Sequence, residues 1–470
     1  MTPRRSLWSF VLLVCAAGLG ACESDGPASP EPDAGPGPDP LPEAGDAPVT
    51  SRCVVPTGEG TVHASGALDS DEDVWTAAGS PHVVTFPVTI RAGQKLTLEP
   101  CAVVRLDAGT SVLVAGELIA EGAADQRISF ERAGAEPWEY VRVSETGHAR
   151  FAYATLAGGG YVRNNRPDTT ATLYVDGDPR SPAGVLPLVR VDHVTIEGSQ
   201  TLGVLLTENG AFTDDSRDLT VTGSGSAPIR VWLRAASSLP TGTYTGNQDD
   251  QFLLEAGGYG NAAVVGEVTL RDRGLSYHVI SAPLRVGGEG DDRTPGTLVV
   301  EPGVTLRFQP GSGVNVQAYT SSEGATGTLR AIGTPDKPIV FTSDSATPAP
   351  GDWVGITFKG TPSPNNRIEH ATIAYAGGDS GISSYDCFVT PDERGFSNRG
   401  AVIVFGNQPA APFIAHTRIE NSAQDGIVRG WTGEPIDFLG TNEFVGISRC
   451  RQTFPKPAAA TCPTPPPCPK

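Results

Sequence analysis

The strongest constraint on this chain is that it repeats itself over a long stretch. Leu98-Glu99-Pro100-Cys101-Ala102-Val103-Val104-Arg105-Leu106 faces Val300-Glu301-Pro302-Gly303-Val304-Thr305-Leu306-Arg307-Phe308. Gly109, Val112 and Val114 then face Gly311, Val314 and Val316 at the same offset. After a short insertion in the second copy, Gly116, Leu118, Gly122, Asp125, Ile128 and Phe130 match Gly327, Leu329, Gly333, Asp336, Ile339 and Phe341. Trp138 meets Trp353, and Ala154-Thr155 meets Ala371-Thr372. Further on, His193, Ile196, Glu197, Ser199 and Gly203 meet His416, Ile419, Glu420, Ser422 and Gly426. An order kept this far, with slowly growing offsets, means one long unit used twice.

Within each unit the pattern is one of short strands. TLVVEPGVTLRFQPGSGVNVQA alternates apolar and polar residues at period two, with Pro-Gly and Gly-Ser at the corners, and GTLRAIGTPDKPIVFTSD continues it. Glycine (57) and proline (41) are frequent in the 470 residues, and both are penalised inside helices. Strand starts recur at roughly 20–25 residues, the low end for a solenoid repeat. Period-two strands with tight corners suit a coil whose inner residues stack on those of the next coil. The expected fold class is therefore all-β, a solenoid built from two homologous segments.

The N-terminus reads as an address. Arg4 and Arg5 precede the apolar run Leu7–Gly18, which is too short for a membrane span. It ends in Leu19-Gly20-Ala21-Cys22, which resembles a bacterial lipobox. That resemblance implies that Cys22 is lipidated and becomes the new N-terminus after residues 1–21 are removed, and that the lipid holds the protein at the cell envelope, most simply the outer membrane. Residues 22–51 are rich in proline and acids and poor in bulky apolar side chains, so they read as a disordered spacer. Of eight cysteines, Cys15 leaves with the signal and Cys22 takes the lipid. The remaining six, Cys53, Cys101, Cys387, Cys450, Cys462 and Cys468, suggest disulfides in an exported chain. We expect Cys53 to pair with Cys101 and the other four among themselves. The formal net charge of −19 argues against nucleic acid as a partner.

TLVVEPGVTLRF, GTLRAIGTPDKPIVFTSD, GDWVGITF and RIEHATIAYAGG resemble the right-handed parallel β-helix proteins of the pectin lyase-like superfamily, and in particular surface lipoproteins of the myxobacterial type. The resemblance implies a stack of three-faced coils over about residues 80–447, capped at both ends. We accordingly divide the chain into a signal (1–21), the anchor and spacer (22–51), an N-terminal cap region (52–80), β-helix segments at 81–260 and 261–449, and a Pro/Cys-rich tail (450–470). The superfamily hosts lyases, hydrolases, adhesins and proteins without known activity, so the fold alone assigns no reaction.

The chemistry is sparse. Asp192-His193 resembles a fragment of pectate lyases, but the counterpart of Asp192 is Ala415. A histidine before an apolar strand also suits a corner of the coil. The hydrolases of this fold resemble one another in Asp-Asp and Gly-His-Gly segments followed by Arg-Ile-Lys. Here Asp214-Asp215, Asp249-Asp250 and Asp291-Asp292 occur, Gly-His-Gly does not, and Arg367-Ile368-Glu369 and Arg418-Ile419-Glu420 carry glutamate where lysine is expected. Asp192, His193, Asp214 and Asp215 are thus the catalytic candidates. Asp69, Asp71 and Asp73, with Glu72, form the densest acidic run and the weak candidates for Ca²⁺, without the spacing of a known calcium loop; no other cofactor is indicated. Trp138 and Trp353 read as packing residues fixed by the repeat. Trp75, Trp232, Trp431, Tyr161, Tyr174, Tyr244, Tyr259 and Tyr319 fall in loops or at strand ends, where aromatic faces suit sugars or proteins. The function expected is a lipid-anchored, non-catalytic envelope scaffold or adhesin with a polysaccharide or surface protein as partner. The alternative is a polysaccharide lyase or glycoside hydrolase with a groove on one flank. An enzyme would gather His193 or an Asp pair with an Arg or Lys in one place.

Overall fold

A computed structural model describes residues 53–470 except 55, 163–168, 179–183, 257–262, 289–292, 317–325, 383–385, 388–397, 459–460, 463–467 and 469–470. The signal, Cys22, the spacer, Asp291, Asp292, Tyr259 and Tyr319 lie outside the described residues. Ser51–Lys470 forms one compact unit. No helix among the described residues is long and apolar enough to cross a membrane.

The chain is a parallel β-helix. One 13-stranded sheet runs from Val88–Ile90 to Glu443–Val445, and every step of its ladder is parallel. Parallel pairing places like positions of successive coils above one another, so one inner row reads Val141, Leu173, Val204, Ile229, Phe252 and Tyr277. All six are fully buried. Burial of each such side chain contributes about 1.5–3 kcal/mol. The period-two alternation in the sequence is this in/out alternation.

The other two flanks of the first segment join into a second 13-stranded sheet, because Leu186–Glu197 runs through both of them. In the second segment the other two flanks are a six-stranded and a five-stranded sheet. The two copies are displaced by one flank. Val112–Val114 lies in the sheet that spans the whole length, whereas its counterpart Val314–Val316 lies in the six-stranded sheet. Thr305–Phe308 lies in the length-spanning sheet, whereas its counterpart Val103–Leu106 does not. At the junction a 3-10 turn, Leu233–Ser238, stands where a strand would be. Such a turn cannot continue the backbone ladder, and its serines substitute. Ser238 Oγ accepts from Phe212 N at 3.2 Å on one side, and Ser237 Oγ accepts from Thr269 N at 2.7 Å on the other.

The ends are covered by covalent and polar contacts. Disulfides join Cys53 to Cys101, Cys387 to Cys462 and Cys450 to Cys468. Strand pairing already begins inside the N-terminal cap region, where Thr61–His63 and Glu72–Trp75 pair with His82–Val84 and Lys95–Leu98. His63 stacks on Trp75 at 4.0 Å, and Trp75 on His82 at 5.1 Å. At the other end the tail continues the coil through bridges from Gln452 to Ile427 and from Lys456 to Thr432. Beneath them the fully buried Arg429 donates from Nε to Thr453 O at 2.5 Å and from Nη1 to Ile436 O at 2.6 Å; burial lowers its pKa to about 10.

Candidate functional site

His193 sits at a corner of the coil, where the backbone must turn between two flanks within one residue. It takes φ 54°, and its neighbours up and down the stack, Tyr153 and Asp218, take 45° and 52°. These left-handed values cost non-glycine residues free energy, so the stack must hold them in place. The rings of Tyr153 and His193 stack at 4.6 Å, and His193 Nε2 lies 3.6 Å from an Asp218 oxygen. The second segment repeats the device with His370 on His416 at 5.0 Å. The corner reading of His193 is therefore observed.

The acids and arginines beside it were not foreseen as a group. Nδ1 of His193 donates to Asp192 Oδ1 at 2.7 Å, and Asp192 Oδ2 accepts from Arg217 at 2.7 Å and from Arg190 at 3.2 Å. Arg190 Nε donates to Asp215 Oδ2 at 2.7 Å, and Asp215 Oδ1 accepts from the Thr213 hydroxyl at 2.6 Å. Arg190 also faces Glu121, which pairs with Arg150 at 3.2 Å. Asp214 is exposed and joins none of these ion pairs. The available signal was the coil length. Arg190 and Asp215, and Asp192 and Arg217, are each 25 residues apart, which is one coil at this level.

The electrostatics follow from these contacts. Burial alone would raise the Asp192 pKa, but the hydrogen bond from His193 and the charges of Arg217 and Arg190 outweigh it and hold it below the usual carboxylate range. Asp215 is lowered by its bonds from Thr213 and Arg190. Arg190 is raised, first by its bond to Asp215. Carboxylates held this low are poor general bases, since a general base needs an affinity near the working pH.

Asp192, His193 and Asp218 are the one group among the described residues whose three ligand atoms lie within 4.8 Å of one another. Two carboxylates and an imidazole fall short of the six to eight oxygens that Ca²⁺ takes, and the arginines already occupy Asp192. Asp69, Asp71 and Asp73 do not form such a group. Asp73 Oδ1 accepts from Val74 N at 2.8 Å, and Asp71 Oδ1 accepts from Gln94 at 3.4 Å. Asp250 caps a turn through Asn247 N at 2.8 Å and Gly246 N at 3.0 Å.

A groove of about 540 Å³ lies at the next corner along Leu186–Glu197, lined by Arg132, Glu197, Gly158, Gly198 and Gly223 among others. Arg132 donates to the carbonyls of Gly158 and Gly198, both at 2.9 Å. The second-segment counterparts of these glycines are Tyr375 and Asn421, which also adopt positive φ. The turn thus accepts side chains, and the first segment carries none at these two positions.

Several aromatics expected at the surface are buried instead. Trp75, Trp431 and Tyr244 are at most 2 % exposed, packed into the ends and the junction. The alternating burial of a coil takes large side chains inward wherever the stack widens. Tyr161 and Trp232 are half-buried, as is Tyr174, under the Arg142 guanidinium at 4.8 Å.

Residues 291–385 match the family model of the pectate-lyase-like beta helix domain. No curated protein and no solved structure matches the chain.

Proposed function

We propose that this chain, a parallel β-helix with a pectate-lyase-like stretch, is a non-catalytic scaffold that binds glycan and is held at the cell envelope by a lipid on Cys22. The observation that carries the non-catalytic reading is the engagement of Asp192. Its two oxygens already accept hydrogen bonds from His193, Arg190 and Arg217, so the carboxylate is held as a structural acceptor with a lowered proton affinity. Long flanks of stacked polar side chains, with a groove beside the ion pairs, suit recognition of an extended polymer.

The binding claim is tested by affinity electrophoresis of the full chain in gels cast with neutral and acidic polysaccharides. Retardation in at least one polymer is expected, and unchanged mobility in all would remove glycan as the partner. The anchor is tested by mass spectrometry of the N-terminal peptide, where diacylglycerol on Cys22 is expected and an unmodified or differently cleaved terminus would contradict it.

One observation favours a second reading, a polysaccharide lyase or hydrolase. Asp192, His193, Arg190 and Arg217 do come together on one flank, as an enzyme would require. Product formation separates the two readings.

A further inference from the structure

The duplication provides an internal control for a second pocket. Across two rungs of the first copy, Arg105 pairs with Glu131 at 2.8 Å, Val103 precedes it on the strand, and the corner residue Cys101 is bonded to Cys53. In the second copy the same register positions carry Arg307, Thr342 and Thr305, and the corner residue is Gly303. The acid, the apolar side chain and the disulfide-linked strap are all replaced. A pocket of about 460 Å³ lies there.

Its lining has a definite chemistry. The hydroxyls of Ser276, Thr305 and Thr342 reach it from three successive rungs, and none has a hydrogen-bond partner among the described residues. Arg307 lies on its floor, balanced by Asp344 at 3.5 Å. Asp272 stands at its edge, balanced by Lys337 at 3.3 Å. The charges therefore cancel in pairs, while unpaired hydroxyls that can both donate and accept remain. Leu275 and Pro348 add apolar surface.

We propose that this pocket binds a sugar residue of an uncharged glycan. Sugar hydroxyls match the paired donor and acceptor capacity of Ser276, Thr305 and Thr342, and ring C–H faces match Leu275 and Pro348. An acidic sugar gains nothing here, since Arg307, the basic residue of the lining, already has Asp344 as its counter-charge. The proposal rests on the reading of the chain as a glycan binder and names where one ligand residue sits and its class.

The test uses isothermal titration calorimetry of the full chain with cellohexaose, maltohexaose and mannohexaose, and with hexagalacturonate as the charged comparison. Thr342→Glu introduces the acid that the first copy places opposite its arginine, and Thr305→Val introduces its valine, so both residues occur at the equivalent positions of the first copy. Thr97→Glu, on a strand near the N-terminal end, is the control. Binding of at least one neutral hexasaccharide is expected, weakened about tenfold or more by Thr342→Glu and less by Thr305→Val, as loss of one or two hydrogen bonds would do; Thr97→Glu should leave it unchanged. Wild-type binding that survives both pocket variants would overturn this site and leave the glycan reading standing. Binding of hexagalacturonate alone would overturn the ligand class, and no binding at all would overturn both.

Discussion

Asp192 Oδ1 accepts a 2.7 Å hydrogen bond from Nδ1 of His193, its own chain neighbour. The contact is possible because His193 is at a corner in the left-handed conformation, which turns two consecutive side chains toward each other. The pair then serves as a hub for arginines from its own strand and the next coil. It reads as a clasp between coils at the point where the chain changes flank.

Removing the hub should destabilise the stack. Asp192→Ala leaves Arg190 and Arg217 facing one another without their shared acid, at an expected cost of about 1–2 kcal/mol given how far Arg217 is exposed. Urea unfolding of the variant measures it. A shift indistinguishable from zero would mean that the ion pairs are surface decoration.

Both repeat tryptophans should matter equally. Trp138 Nε1 donates to Ala157 O at 2.8 Å, and Trp353 Nε1 donates to Ala374 O, also at 2.8 Å; donors and acceptors are counterparts in the two copies. Both indoles are fully buried. Trp→Phe at either position removes the donor and is expected to cost about 1–3 kcal/mol. Thermal unfolding of the two variants checks it, and a large difference between them would show that the copies have diverged in packing.

The N-terminal coil should loosen in acid. His82 Nε2 donates to Thr76 O at 2.9 Å, which leaves its Nδ1 to accept from His63 Nε2 at 3.1 Å. That arrangement needs His82 neutral. Burial lowers both pKa values, and the neighbouring histidine adds to the effect at His63, against smaller opposing effects of Asp73 and Asp69 at His63 and of the Thr76 carbonyl and Asp73 at His82. With folded values below the unfolded one of about 6.5, the stabilisation is complete above that pH and is lost as pH falls through the depressed values. Amide protection over residues 61–84, exchange taken relative to its intrinsic rate at each pH, is expected to fall as pH drops below about 6.5 before that of the rest of the coil changes.

The Cys53–Cys101 bond closes a stretch of 48 residues around the same coil. Cys53→Ser with Cys101→Ser should cost about 2–4 kcal/mol and make the first coils sensitive to protease. Equal resistance with and without the bond would remove its capping role.

The coil architecture was legible because parallel stacking writes itself as period-two alternation, and because the duplication repeats Trp138 and His193 as Trp353 and His416. The one-flank displacement between copies was not legible. A sequence offset does not say how many corners lie between two counterparts, and Leu233–Ser238 occupies a strand's place without strand periodicity. The site was half legible. Asp192 and His193 stand out as a dipeptide, and Asp215 as part of a pair. Arg190 and Arg217 carry no local motif and join them only through the coil register. The surface placement of Trp75, Trp431 and Tyr244 failed because an aromatic at a strand end can face inward as readily as outward.

The Asp192 hub, as proposed, braces the stack and does not catalyse. The most direct measurement is incubation of the full chain with uronate and neutral polysaccharides, with both new reducing ends and unsaturated uronate products followed over time. No product is expected from any polymer, including those that retard the protein in affinity gels. Product formation that disappears in Asp192→Asn or His193→Ala would contradict it and make the flank an active site.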